Sequence, residues 1–192
     1  LLIVDEVQSG LGRTGKMWAI EHWAGPAGSG PRVEPDILVT GKGLSGGIYP
    51  IAATCYRAEL NPFMHADPFI HISTFGGAEV GCAVGLAVLA LTAEPAFLNR
   101  VSELADRFAS GFHQLQARYP QTLVEARQLG LMIGLVFPDE TCGPLMTKLL
   151  YDQGVLAIYA NNDQRLLQVL PPLVMTDIEA EEVLGALDRA LA

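Results

Sequence analysis

The first half of the chain carries short apolar runs separated by glycine- and proline-rich stretches. Residues 1–4 and 36–39 are rich in leucine, isoleucine and valine, and a third run follows at 49–55. Runs of this length and composition, bounded by glycine and proline, are typical of buried strands. The pattern therefore predicts three strands, with a short helix at 17–23 and irregular chain at 61–70, where two prolines interrupt.

Helical periodicity begins at residue 79. Small and apolar residues at 79–91 indicate one helix, and Pro95 stands where a second helix could begin. This second helix is predicted to end near Tyr119 and Pro120. The apolar residues on one of its faces are Leu98, Val101, Leu104, Ala105, Phe108, Phe112 and Leu115. Packing against a core explains this face, so the pattern predicts a long amphipathic helix without chemistry of its own.

The last third of the chain alternates between strand and helix patterns. Strands are predicted at 131–137, 155–159 and 166–170, with a helix at 143–153 between the first two. The alternation predicts a second, smaller α/β lobe. We therefore divide the chain into a first domain at 1–95 and, at 96–192, the long connecting helix with a small carboxyl-terminal domain.

A final helix is predicted from its start signal. Thr176 and Glu179 have the spacing of a capping box, in which side chain and backbone satisfy each other at a helix start. The predicted apolar side of this helix consists of Ile178, Val183, Leu184 and Leu187. We expect these side chains to pack against the small domain.

Composition narrows the classes of function. Half of the 192 residues are hydrophobic and 17% are charged, which is ample material for a folded core. The net charge of −9 argues against nucleic acid or an anionic membrane surface as a partner. Cys55, Cys82 and Cys142 are odd in number and widely spaced, so we expect neither a disulfide framework nor a zinc site, but a reducing cytoplasm. No apolar run reaches the ~18 residues that span a bilayer.

The stretch around Lys42 has the features of a ligand site. This lysine stands among small residues, directly after the second predicted strand. Neighbouring glycines let the backbone turn sharply and approach a ligand, and open α/β sheets hold ligands beyond the carboxyl ends of their strands. The stretch lacks the upstream glycine and the following Ser or Thr of a phosphate-binding loop. It therefore indicates a reactive lysine, with a solvated surface lysine as the alternative.

Asp5 follows the first predicted strand in the same way, which implies one site shared with Lys42. Pyridoxal phosphate needs this pair of residues, because a lysine amine forms a Schiff base with its aldehyde and a carboxylate pairs with its pyridinium nitrogen. A protonated ring withdraws electrons more strongly and stabilises a substrate carbanion. The two residues predict pyridoxal phosphate as the cofactor.

Three ordered motifs resemble the class III aminotransferases of the fold type I pyridoxal phosphate enzymes. This family includes acetylornithine, ornithine, 4-aminobutyrate and putrescine aminotransferases. The motifs are LIVDEVQSGLGRTG at 2–15, EPD at 34–36 leading to GKGLSGG at 41–47, and STFGG at 73–77. The resemblance covers nearly the whole chain. It implies an α/β fold, with the end of a large, mostly parallel-sheet domain followed by the small domain.

The resemblance also implies roles for individual residues. Lys42 would be the Schiff-base lysine and Asp5 the partner of the pyridine nitrogen. Val7 would pack on a face of the ring, and Gln8 would hydrogen-bond its phenolic oxygen. Thr74 would bind the cofactor phosphate across the interface of a homodimer. A simple helix cap is the alternative for Thr74.

The implied activity is ping-pong transfer of an amino group. The donor would be an amino acid or a terminal amine of the ornithine, acetylornithine, 4-aminobutyrate or diamine type, and the acceptor a keto acid such as 2-oxoglutarate or pyruvate. Another pyridoxal phosphate reaction on the same fold, such as racemisation, aminomutase transfer or decarboxylation, is one alternative. A non-catalytic domain is the other, although packing alone does not demand this set of polar residues.

The sequence departs from the family in three places. Gln168 stands three residues before a Pro-Pro pair, where many members carry an arginine, and it cannot make an arginine's two-point contact with a carboxylate. Arg165 could compensate only from the opposite face of a strand. The stretch 25–31 reads as an inserted surface loop. The third departure is the stretch RQLG at 127–130, which replaces the usual Arg-Gly-x-Gly and which we take as a structural variation. The chain also begins inside a strand, so we expect it to be the carboxyl-terminal part of a larger enzyme whose missing part holds the main phosphate loop and a ring-stacking aromatic residue.

Overall fold

A computed structural model of the chain describes residues 1–23 and 33–192. The predicted insertion at 25–31 lies outside the described residues. The chain divides into two units, Leu1–Leu98 and Asn99–Ala192.

The sheet of the first unit contains the three strands predicted from the apolar runs. They are β1 (Ile3–Asp5), β2 (Ile37–Thr40) and β3 (Ala53–Tyr56). The order is β1-β2-β3, so β1 forms one end of the sheet. β1 and β2 are parallel, whereas β3 returns antiparallel to β2. The carboxyl ends of β1 and β2 therefore meet at the same edge.

The helices of the first unit agree with the predictions in part, and two 3-10 helices, Lys42–Ser45 and Ala58–Leu60, were not predicted. A short 3-10 helix at Ala19–Trp23 lies within the helix predicted at 17–23. The segment 61–70, predicted to be irregular, contains the short helix α1 (Pro62–Ala66), so that prediction is wrong in part. Pro62 is its first residue, and the fixed φ of proline suits a first helical turn. Helix α2 (Glu79–Thr92) confirms the prediction at 79–91.

Helix α3 (Pro95–Arg118) confirms the long amphipathic helix. Leu98 is half-buried, and the other predicted core residues of this helix are fully buried. Within the part of the chain that the structure describes, no single helix is both long and apolar enough to cross a bilayer. Helices α2 and α3 meet that test only when the two are counted together.

The second unit is built on a four-stranded antiparallel sheet. In chain order its elements are β4 (Glu125–Leu129), β5 (Met132–Val136), α4 (Cys142–Asp152), β6 (Ile158–Ala160), β7 (Asp163–Val169) and α5 (Asp177–Leu191). The strand order is β4-β5-β7-β6. The alternation of strands and helices confirms an α/β lobe. Strand β4 was not predicted, because no apolar run marks it in the sequence.

The capping box at the start of α5 is present, but the predicted apolar face is partly wrong. The Thr176 hydroxyl accepts the Glu179 N–H, and the Glu179 carboxylate accepts the Thr176 N–H. Leu187 is buried, whereas Ile178 is 73% exposed. These two residues are about two and a half turns apart, which places them on opposite faces of the helix. The buried face instead uses Ala180, Ala186, Leu187 and Leu191.

Candidate active site

The ends of β1 and β2 bring the two predicted catalytic segments to one edge of the sheet. Asp5 is paired with Val39 across the parallel strands, and the Glu6 N–H donates to the Val39 carbonyl at 2.8 Å. Lys42 follows β2 immediately beyond Gly41. A ligand at this edge would therefore meet both segments, as expected for an open α/β sheet.

Asp5 presents a partly satisfied carboxylate. Its side chain is exposed, and Oδ1 accepts the Val7 N–H at 2.9 Å. This short-range hydrogen bond fixes the orientation of the carboxylate at the end of β1. The second oxygen has no protein partner among the described residues, so it is available to a ligand.

The backbone at Lys42 is in the left-handed region, with φ 45°. Such a conformation is uncommon for a residue with a Cβ, and among the described non-glycine residues only Leu11 shares it. Two hydrogen bonds close the turn, from the Leu44 N–H to the Gly41 carbonyl and from the Gly46 N–H to the Gly43 carbonyl, both at 3.0 Å. The side chain of Lys42 is exposed. The turn thus directs an amine outward at a cost in backbone energy.

Val7 lies against the turn that carries the lysine. A Cβ built on Gly41 would stand 3.6 Å from a Val7 methyl group and 3.4 Å from the Cβ of Ala52. The absence of a side chain at Gly41 lets these groups come close. Val7 and the next residue, Gln8, are both half-buried. The structure thus places Asp5, Val7, Gln8 and Lys42 on the two segments that meet at this edge.

Thr74 belongs to another segment of the first unit, between α1 and α2. It occupies an exposed bend. The alternative prediction, a helix cap, is wrong, because α2 begins at Glu79 with Ala78 as its N-cap. The Ser73 hydroxyl instead accepts the Gly76 N–H at 3.0 Å and holds the bend.

Comparison with known proteins decides the family. The family model described as Aminotransferase class-III matches residues 1–191. The chain belongs to the class-III aminotransferase family. An uncharacterized aminotransferase from Archaeoglobus fulgidus is 46% identical over 194 residues, which cover 99% of this chain and 44% of that protein. This chain therefore spans less than half the length of that relative.

Solved structures of aminotransferases share the fold. The ornithine aminotransferase from Toxoplasma gondii ME49 is 31% identical with a TM-score of 0.84, over 100% of this chain and 43% of that one. The acetylornithine aminotransferase from Elizabethkingia anophelis is 30% identical with a TM-score of 0.82, over 100% of this chain and 45% of that one. The fold is that of the fold type I pyridoxal phosphate aminotransferases.

A residue of this class-III chain that sequence reasoning missed is Glu6. Its side chain is buried, yet it follows the exposed Asp5 directly. Alternation along a strand places these two neighbours on opposite faces, so an exposed Asp5 could have indicated that Glu6 faces the interior. The sequence alone does not reveal what covers the Glu6 face.

The glycine-rich loop after β1 brings further residues to the lysine turn. Leu11 is buried with φ 56°, and a Cβ on Gly43 would lie 3.5 Å from a Leu11 methyl group. Arg13 is half-buried, and burial lowers the pKa of its guanidinium. The hydroxyls of Thr14 and Thr40 are buried and have no hydrogen-bond partner among the described residues. Thr40 directly precedes Gly41, so this orphaned hydroxyl lies at the base of the lysine turn.

In the second unit, the departure at Gln168 from many class-III members has a structural counterpart. Gln168 is half-buried in β7, and its amide lies 3.5 Å from the Tyr159 carbonyl. Arg165 makes two 3.0 Å contacts with the Asp163 carboxylate, and this hydrogen bonding raises the pKa of the guanidinium. Arg165 is thus already engaged and does not substitute for an arginine at 168.

No group of His, Cys, Asp and Glu suited to a metal ion occurs within residues 1–23 and 33–192.

Proposed function

We propose that this chain carries the lysine and the aspartate of a pyridoxal phosphate-dependent aminotransferase. The observation that supports this proposal best is the pairing of β1 with β2, which ends at Asp5 on one strand and leads to Lys42 on the other. A second support is the left-handed backbone at Lys42, because strained backbone concentrates at functional sites.

The residues of this edge fit the cofactor. Lys42 offers an exposed amine, and Asp5 offers a carboxylate oxygen without a protein partner among the described residues. The glycine at 41 and the side chain of Val7 make a small apolar wall beside them. When bound, pyridoxal phosphate supplies an aldehyde that reacts with amines and a ring that withdraws electrons from the substrate carbon.

Each side chain then has a defined task. With the cofactor bound, Asp5 would hold a proton on the ring nitrogen by pairing its second oxygen with that position. Val7 would pack on a face of the ring, and Gln8 would donate a hydrogen bond to its phenolic oxygen. The amine of Lys42 would act as the base that takes a proton from the substrate and returns it at a neighbouring carbon. The fixed turn at 41–46 holds this amine in place for both transfers.

We further propose a homodimer in which Thr74 binds the cofactor phosphate of the neighbouring subunit. Large apolar side chains on both sides of Thr74 are exposed in the single chain, namely Phe69, Ile70, Ile72 and Phe75. Exposed apolar clusters of this kind mark interaction surfaces. A two-fold interface over this bend would bury them and bring the Thr74 hydroxyl to the partner.

The proposed substrates are an amino donor with a terminal amine and a keto acid such as 2-oxoglutarate or pyruvate. Gln168 in place of an arginine supports a donor that has no carboxylate at that point. Two solved structures of similar fold are those of an ornithine and an acetylornithine aminotransferase.

A reducing cytoplasm is the proposed location, supported by the free thiols of all three cysteines.

Borohydride trapping tests the function. The full-length protein is incubated with pyridoxal phosphate, reduced, digested and analysed by mass spectrometry. We expect a pyridoxyl group on the peptide that contains Lys42, its loss in Lys42→Ala, and its retention in the control variant Lys16→Ala. Absence of label from the folded protein would leave the non-catalytic alternative. A separate sample of unreduced holoenzyme is mixed with candidate donors, and conversion of its cofactor to the amine form separates transamination from racemisation or decarboxylation.

A further inference from the structure

We infer that Glu6 is a positioning residue that fixes the placement of Asp5 relative to Lys42, an inference that rests on the proposed function. Glu6 is 1% exposed, and carboxylates are almost never buried to this extent unless their oxygens are satisfied. A buried charge of this kind, next in sequence to Asp5, requires an explanation.

The carboxylate of Glu6 binds two separate parts of the following loop. Oε2 accepts the Ser9 hydroxyl at 2.5 Å and the Ala19 N–H at 3.1 Å, and Oε1 accepts the Ile20 N–H at 2.8 Å. All three donors are neutral groups. Because both oxygens are used, the side chain holds the beginning and the end of the loop 9–20 together.

The main chain of Glu6 is engaged as well. Its N–H donates to the Val39 carbonyl at 2.8 Å, and its carbonyl accepts the Gly10 N–H at 3.0 Å. The first bond joins the end of β1 to β2 directly before the lysine turn. Gly10 is closed in, because a Cβ there would lie 2.8 Å from the Glu6 carbonyl oxygen and from the Trp18 ring. Glu6 is thus tied to β2 through its backbone and to the loop through its side chain.

The loop carries this restraint to the lysine turn. Leu11 is buried, and its side chain is the group that a Cβ on Gly43 would meet at 3.5 Å. Gly43 follows Lys42 directly, and Leu11 and Lys42 are the two left-handed non-glycine residues among those described. Glu6 therefore acts on the lysine turn by two routes, through Val39 in the sheet and through Leu11 in the loop.

A carboxylate suits this task better than an amide. Glutamine has the same shape but only one acceptor oxygen, and its NH2 group would face a backbone N–H of Ala19 or Ile20. One end of the loop would then lose its anchor. We expect a loss of placement at Lys42 without a loss of fold, since the sheet and α2 are unchanged.

The test compares Glu6→Gln with Glu21→Gln in the full-length holoenzyme. Glu21 is a matched control, because its Oε1 also accepts a backbone N–H of the same segment, that of Trp18 at 2.9 Å, but its side chain is exposed. We expect Glu6→Gln to weaken pyridoxal phosphate binding about 10-fold and to lower kcat about 10- to 100-fold, with little change in KM for the donor. Glu21→Gln should stay within about twofold of the wild type.

Three outcomes have distinct meanings. Equal cofactor affinity and equal kcat in both variants would overturn the positioning role of Glu6, while the proposed function would stand as long as wild-type Lys42 is labelled by borohydride. An unlabelled wild type would overturn the function itself.

If Glu6→Gln does not fold, Ser9→Ala replaces it, since this variant removes one hydrogen bond and leaves both backbone donors in place. Ser9→Ala should lower kcat about threefold while the protein stays folded at the assay temperature, and wild-type kcat in Ser9→Ala would overturn the inference.

Discussion

Lys42 combines an exposed amine with an unfavourable backbone conformation. A left-handed conformation costs an L-residue roughly 1–2 kcal/mol, because its Cβ crowds the following carbonyl. The hydrogen bonds of the turn and the contact between Leu11 and Gly43 hold the conformation in place. Lysine stands at a position where glycine would be more stable, which favours a role in chemistry over a solvated surface charge.

This reasoning gives a stability prediction for Lys42. We expect Lys42→Gly to be more stable than Lys42→Ala by about 1 kcal/mol, because glycine adopts φ 45° without strain. Denaturant unfolding of both proteins without cofactor measures the difference. Lys16, which is exposed and outside the left-handed region, is the control, and there the glycine variant should be the less stable one. The same order of stability at both positions would contradict the strain argument.

Gly10 offers a second prediction at this scale. Gly10→Ala would place a Cβ 2.8 Å from the Glu6 carbonyl oxygen and from the Trp18 ring, and backbone gives way poorly. We expect a loss of about 1–3 kcal/mol in the free energy of unfolding. Gly43→Ala is the matched control, since its new Cβ would meet only Leu11, at an ordinary 3.5 Å. A loss in Gly43→Ala as large as in Gly10→Ala would disprove steric closure at Gly10.

What the sequence reveals of the site depends on which physical property defines each residue. Asp5 and Lys42 are predictable, because they follow apolar runs and carry reactive groups of the right kind. Glu6 and Leu11 are not, since their contribution depends on burial and on backbone conformation, which arise only when the loop 9–20 folds back. Thr74 stays a prediction, because its proposed ligand belongs to another subunit.

At the scale of elements, the patterns that predict correctly are those set by local packing. The 3.6-residue period of α3 reflects one buried face, and the apolar run of β5 reflects a strand that is buried at four of its five residues. The apolar run of β1 predicts the strand correctly, but no residue of that strand is buried, so the expectation of a buried strand is wrong there. β4 could not be predicted from an apolar run, because its residues alternate between exposed and half-buried and none of them is fully buried. The prediction for Ile178 is wrong because this apolar residue, in the first turn of α5, was assigned to the buried face although it is exposed.

Two helical glycines of the second unit give opposite expectations. Gly143→Ala in α4 would place a Cβ 2.0 Å from the Gln164 carbonyl oxygen, so we expect a loss of about 3 kcal/mol or more. Gly185→Ala in α5 meets only the end of the Arg189 side chain at 3.4 Å. The helix propensity of alanine should then stabilise the protein by about 0.5–1 kcal/mol. Denaturant unfolding measures both, and stabilisation by Gly143→Ala would refute the close approach of α4 to β7.

The start of α5 should lose stability in acid. A hydrogen bond from Arg100 lowers the pKa of Asp177, and the backbone N–H of Thr176, followed by its hydroxyl, lowers the pKa of Glu179. A carboxylate with a lowered folded-state pKa stabilises the fold above its unfolded pKa of about 4, and this contribution disappears as the pH falls through the folded value.

Thermal unfolding between about pH 7 and about pH 2 measures this loss. We expect the Tm of Asp177→Asn to be lower than that of the wild type at neutral pH and to approach it at the acid end. Glu182→Gln is the control, because Glu182 lies on the same helix without an ion-pair partner among the described residues. A wild-type pH profile in Asp177→Asn would refute this assignment.

For the molecule as a whole, the exposed apolar residues beside Thr74 are the surface over which the proposed dimer would form. Phe75 is 75% exposed and stands next to Thr74. We expect Phe75→Asp to raise the dimer dissociation constant at least about 10-fold, because a charge replaces an aromatic anchor. Sedimentation analysis of the full-length protein measures it. Leu156→Asp, at an exposed apolar position of the second unit, is the control and should leave the dimer intact.

Strand β1 also determines how a preparation of these 192 residues behaves. Among the described residues it is paired with β2 alone, and Leu1, Leu2 and Ile3 at its amino end are exposed, with no charged side chain before Asp5. An open, uncharged edge of this kind is a template for cross-β aggregation. Expression of this chain by itself should therefore favour inclusion bodies, and a gatekeeper substitution such as Ile3→Lys should increase the soluble fraction without touching Asp5 or Lys42.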